Sequence, residues 1–185
     1  LGTTTIAAWA ICGKIDTPVF LIMDALTISI STFVAQNYGA RKLERIRKSV
    51  RVCIYLALSL LIPITVVMCL WGEPLSRLFI DDAEVSALVI TMIRFYAPFI
   101  FTFAWEEGLA GAIRGSGETF KPMLITMLGA CVLRNIWIAF IVPINPTVRT
   151  IIACYPLSWS VTSLLLILYY RRYKKQRLMD LPLAA

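Results

Sequence analysis

The stretch "ISISTFVAQNYGARKLERIRKSVR" (residues 28–51) carries no charge over its first thirteen positions. It then places six cations in eleven residues, from Arg41 to Arg51. Such a border has three physical readings: a nucleic-acid patch, a solvated helix face, or the place where a helix leaves a bilayer. Nothing beside it supplies a base-reading helix or a stacking platform, so nucleic acid is not an expected partner. The choice between the other two rests on the rest of the chain.

The chain has 185 residues, 59% of them hydrophobic and 16% charged. Soluble domains sit near 45–50% and about 25%. A water-soluble core of this length could not bury so much apolar surface, whereas a bilayer can solvate it. The net charge is +7, and its distribution matters more than its sum. No His is present, which excludes Ser/His/Asp triads, HExxH zinc sites and His-based proton relays. Cys12, Cys53, Cys69, Cys131 and Cys154 stand singly, without a CxxC pair. They read as small packing residues, so no metal site and no cofactor are expected. There is no initiating Met and no signal-peptide pattern. A piece of a longer protein is expected.

A membrane helix needs about 20 mostly apolar residues. Five segments qualify, at about 5–35, 52–71, 85–110, 122–143 and 150–170. None shows strand-like alternation. The expected fold is all-α, a polytopic membrane helix bundle. Alternate connections carry thirteen Lys and Arg against two. By the positive-inside rule the first and third connections and the tail at 171–185 are expected in the cytoplasm, with the start of the chain outside. The opening stretch is then a helix emerging into the cytoplasm, where anionic lipids are compatible neighbours. An odd number of spans with an external start calls for at least one further span upstream.

Lys14, Asp16, Asp24, Arg94, Glu106, Glu107 and Arg134 fall within or at the edges of spans. Each charge at a bilayer centre costs about 2.5–3.5 kcal/mol on insertion scales, so such residues face a bundle interior or a water-filled cavity. Structural ion pairs and snorkelling at the interface are the plain alternatives. Asp16 and Arg94 share a depth and would pair if their helices touch. Asp24 lies about 12 Å deeper and about 80° round the helix from Asp16, so both can point to one broad side. Thr27, Ser29, Ser31 and Thr32 follow, either lining water or packing closely through small hydroxyls. Glu106 and Glu107 point about 100° apart, so at most one faces a cavity squarely. The other reading for that pair is an interfacial contact with Arg114. Pro18, Pro63, Pro98 and Pro156 fall inside spans, where each removes a backbone hydrogen bond and favours a kink. "GAIRGSG" (111–117) has no preceding strand and no GK[ST] ending, so it reads as a turn rather than a phosphate loop.

An ordered set of motifs resembles the MATE (multidrug and toxic compound extrusion) family, bacterial subgroup. These are "WAICGKID" (9–16), "TFVAQNYGA" (32–40), "GAIRGSGET" (111–119), "GACVLRNIW" (129–137) and "YPLSW" (155–159). The resemblance implies a partial C-terminal lobe over 1–185, with the spans corresponding to helices eight to twelve of a twelve-helix transporter. Helix seven and the N-terminal lobe would be missing partners. It implies a multi-pass protein of the bacterial inner (plasma) membrane. It also implies exchange of protons or sodium for organic cations or other drugs by alternating access. Glu107 matches a position that is acidic in similar bacterial members. Phe103 stands where some sodium-coupled members carry Asp, a departure from their sodium site. On this reading Asp24, Glu107, Asp16 and Glu106 are the expected substrate- or ion-binding carboxylates. Arg94, Arg134 and Lys14 are expected as ion-pair or gating residues. A lipid-linked flippase of related fold, using those three cations as ligands, remains an alternative, as does a non-transporting membrane scaffold. No nucleophile–base arrangement points to an enzyme.

Overall fold

A computed structural model describes residues 2–178, with side chains to Gln176. The rest of the expected basic tail lies outside the described residues. Every regular element among them is helical. Helix α1 (Thr3–Gly39) is followed by α2 (Leu43–Leu70), the short α3 (Gly72–Arg77), α4 (Ala83–Tyr96) and α5 (Ile100–Gly115). Then come α6 (Phe120–Met127), α7 (Leu133–Ile136), α8 (Val148–Ile152) and α9 (Cys154–Tyr173). These build five stretches long and apolar enough to cross a membrane: Thr3–Gly39, Leu43–Leu70, Ala83–Gly115, Phe120–Ile141 and Val148–Gln176. The connections near 40–42 and 116–119, together with the end of α9, form a basic end of the bundle.

Helix α2 begins at Leu43, earlier than hydropathy alone predicts. Arg45, Arg47, Lys48 and Arg51 therefore ride on a regular helix instead of a loop. Hydropathy cannot see this, because a cationic turn leaving lipid keeps its helical hydrogen bonds while losing its apolar solvent.

The prolines act differently at each site. Helix α1 runs through Pro18, which leaves the Lys14 carbonyl without its usual donor. The third span breaks at Pro98, where a tight three-residue turn (Ala97–Phe99) separates α4 from α5. Pro156 sits in the first turn of α9, where no intrahelical donor is lost. Asp82 caps α4, its Oδ1 accepting from the backbone N–H of Glu84 at 2.8 Å and Val85 at 3.2 Å. A cap of this kind is worth about 1 kcal/mol.

The first and third spans form the central contact of the bundle. An added Cβ at Gly111 would stand 2.9 Å from Ile30 Cγ2 and 3.0 Å from the Thr27 carbonyl, and one at Gly115 would collide with the Ser31 carbonyl. Two glycines four residues apart let the backbones approach this closely. Gly117, with φ at +92°, then turns the chain.

The apolar interior falls into two clusters. One, away from the basic end, gathers Ile11, Met23, Leu61, Ile93 and Trp159. The other, toward it, gathers Val34, Ile46, Ile54, Ile113 and Leu166. The fourth span stands apart. Only Pro122 and Gly129 are buried along it, and it contains two wide, π-type turns at Leu128–Val132 and Trp137–Ile141.

Candidate functional site

Trp9, Cys12, Asp16 and Phe20 follow one another at spacings of three and four along α1, so they share a face. That face meets α4, the Pro98 turn and α9. Asp16 is 7% exposed. The Tyr96 hydroxyl donates to its carboxylate, 2.8 Å from each oxygen. Among the described residues no cation reaches Asp16 in an ion pair.

Aromatic rings surround this pair. Trp9 and Trp159 each meet Tyr96 edge-on, with centroids 6.3 Å apart. Phe103 lies 6.2 Å from Trp159 and 5.5 Å from Phe20. Tyr155 closes the circle against Trp9 at 4.8 Å and Trp159 at 6.0 Å. These separations are those of attractive ring pairs. Beside Asp16 a void of about 10 Å³ remains, lined by Val19, Phe20, Ile100, Phe103 and Trp159. One water needs about 10–15 Å³, and a drug-sized site at least about 300 Å³. In this arrangement the pocket admits a proton, a water or a small ion, and nothing larger.

The expected Asp16–Arg94 pair does not form. Arg94 is exposed, its Nε donating to the Cys69 carbonyl at 3.3 Å. Arg134 donates from Nε to Ser158 Oγ at 2.8 Å and lies 4.4 Å over the Tyr155 ring. Lys14 stands 5.5 Å over the Phe79 ring. Among the described residues none of these three cations is in an ion pair.

The carboxylates part company. Asp24 is exposed and has no hydrogen-bond or ion-pair partner among the described residues, whereas Asp16 on the same helix is buried. Glu106 is 3% exposed, and its Oε2 has no hydrogen-bond partner among the described residues. Glu107 is half-buried, and its Oε2 accepts from Thr27 Oγ1 at 3.2 Å and pairs with Arg114 Nη2 at 3.3 Å. The hydroxyl series on α1 divides: Thr27 takes Glu107, while Ser29 and Thr32 bond back to the Ala25 and Ile28 carbonyls. No two of the seven expected charged residues share a hydrogen bond or ion pair among the described residues. No three Cys, Asp or Glu side chains gather as a metal site there either.

Tyr96, Trp159 and Tyr155 are site residues that sequence reasoning missed, and Phe103 entered it only as a departure from a sodium site. The face shared by Trp9, Asp16 and Phe20 was the available signal. Tyr96 lies 80 residues away in the chain, and no local spacing announces it.

Five bilayer-length helices with carboxylates enclosed between them define a polytopic membrane helix bundle. The MatE family model matches residues 1–141, and the chain belongs to that family. It is 29% identical over 146 residues to a probable multidrug resistance protein NorM of Aromatoleum aromaticum, covering 77% of this chain and 32% of that one. Against the multidrug resistance protein PmpM of Pseudomonas aeruginosa it is 28% identical over 127 residues, 69% of this chain and 27% of the other. The outward-facing structure of a multidrug resistance MATE family transporter of the MOP superfamily superposes with a TM-score of 0.86 at 25% identity. That match covers 99% of this chain and 40% of that one. The chain spans 25–39% of the length of curated relatives it matches.

Proposed function

We propose that the chain forms the C-terminal lobe of a cation-coupled multidrug efflux antiporter. It would lie in a bacterial plasma membrane with its basic end and C-terminus in the cytoplasm, opposite an N-terminal lobe. The observation that carries the coupling role is Asp16, a carboxylate enclosed by rings and held by one neutral hydroxyl. A buried charge with no counter-charge is costly, and binding a proton or sodium ion neutralises it on the spot. The void is far too small for a drug, so Asp16 is the ion-coupling group rather than the drug contact. Asp24, exposed on the same helix, and the half-buried Glu107 are the carboxylates left for an organic cation in the cavity between lobes. The family relationship and the multidrug names of the relatives support this reading.

In alternating access, ion occupancy at Asp16 would bias two packings of the spans. The break at Pro98, directly after Tyr96, is where the third span can bend. The test uses a full-length transporter carrying this sequence, reconstituted in liposomes. Asp16→Asn should leave drug binding within about twofold and lower gradient-driven efflux by about tenfold or more, the loss of one group acting in the driving step. Wild-type efflux by a normally expressed Asp16→Asn protein would overturn the proposal. Orientation is tested separately with Lys42→Cys, which should react with an impermeant maleimide only from the cytoplasmic face.

A further inference from the structure

Helices α2, α5 and α9 enclose a second concavity, at the basic end and remote from Asp16, with a volume of about 520 Å³. Four cations from two different helices line it: Arg47 and Arg51 from α2, and Arg171 and Lys174 from the end of α9 and the turn that follows. One carboxylate, Glu44, accompanies them. It binds Arg47 at 3.0 Å but is itself 78% exposed. Arg51, Arg171 and Lys174 have no ion-pair partner among the described residues, and Arg47 Nε is buried without a hydrogen-bond acceptor. Convergence of like charges is unfavourable unless something anionic joins them.

The walls grade from polar to apolar along the bundle axis. On α2, Ile54 lies seven residues, about 10 Å, deeper than Arg47. On α9, Ile167 lies four residues deeper than Arg171. On α5, Leu109 and Trp105 lie deeper still from the helix end at Gly115. The cations thus stand where headgroups lie, and the apolar floor stands where acyl chains begin.

We infer that this groove seats the phosphate headgroup of an anionic glycerophospholipid from the leaflet that meets the basic end, with its proximal acyl carbons on the apolar floor. A zwitterionic lipid brings its own ammonium group, which four cations repel. A basic pocket between helices at the cytoplasmic border is the expected form of such a site. The inference rests on the chain crossing a bilayer and not on transport, so failure of the efflux test leaves it standing.

The experiment places the full-length protein in nanodiscs of phosphatidylcholine containing stepwise phosphatidylglycerol. It reads the melting temperature and the ratio of the two lipids retained after transfer to detergent. The wild type should melt higher as phosphatidylglycerol is added and retain it preferentially. Arg51→Gln combined with Arg171→Gln should lower that retention by about tenfold and abolish the melting shift. Arg41→Gln combined with Lys42→Gln removes equal charge from the exposed turn and should change neither. Equal losses in both pairs would mean diffuse attraction and overturn the site, as would wild-type retention by the first pair. A melting shift reproduced by inorganic phosphate in phosphatidylcholine discs would also overturn the assignment to lipid. Should the double variant not fold, Lys174→Gln alone reads the same ratio. It should fall by about threefold or more, and an unchanged ratio rejects the groove.

Discussion

Asp16 and Asp24 lie eight residues apart on one uninterrupted helix, yet one is enclosed by aromatic rings and the other is exposed without a partner among the described residues. Glu106 and Glu107 repeat the contrast one residue apart, the first buried with an orphaned oxygen and the second paired with Arg114. Charge and depth are the same kind of information in all four. What separates them is the partner helix each one meets, and that partner is up to 80 residues distant. A carboxylate in a span therefore acquires its chemistry from the contact, not from its own helix.

The largest effect expected on this contrast comes from the contact itself. Gly115→Leu would drive a side chain into the Ser31 carbonyl, a backbone atom that cannot move aside cheaply. A loss of about 3 kcal/mol is expected, read as a collapse of the melting temperature in detergent. If the variant melts like the wild type, α1 and α5 do not meet as described. Tyr96→Phe comes next. It strips the carboxylate of its donor, at about 1–3 kcal/mol, whereas Asp16→Asn, which removes the buried charge, should cost less. Calorimetry on the two variants would reveal a reversed order and so remove Tyr96 as the holder of Asp16. Glu107→Gln breaks a pair that solvent partly screens, so under about 1 kcal/mol is expected. Loss of stability as large as that of Tyr96→Phe would show Glu107 to be the more tightly held group. The smallest effect belongs to Asp24→Asn, within about 0.5 kcal/mol. A clear drop in melting temperature there would mean that Asp24 is covered in the assembled protein.

Much of the architecture is legible in the sequence alone. Windows of apolar residues locate helices because lipid solvates whole turns, and cations mark where those turns leave it. The missing N–H of proline favours a kink at four positions, and the span breaks at Pro98 while α1 and α2 run on through Pro18 and Pro63. Faces are not legible in this way. The pairing of Asp16 with Tyr96 rather than Arg94 depends on how α4 is rotated when it packs, with Met92 against Cys12 and Ile93 in the same apolar cluster. Of the two readings of the hydroxyl series at 27–32, close packing describes Thr27, which meets Glu107 and Gly111, whereas Ser29 and Thr32 are exposed and bond back to their own helix. The basic residues of α2 looked like a loop because their polarity hides a continuous helix.

Helix α1 is 37 residues long, about 55 Å at 1.5 Å per residue. The hydrocarbon slab is about 30 Å thick, and spans rarely lean beyond about 40°. Even at that inclination the rod still covers about 42 Å of height, so about three turns stand clear of the oily layer. The close contacts at Gly111 and Gly115 clamp that rod at Thr27, Ile30 and Ser31, and beyond them Asn37 is still buried against its neighbours.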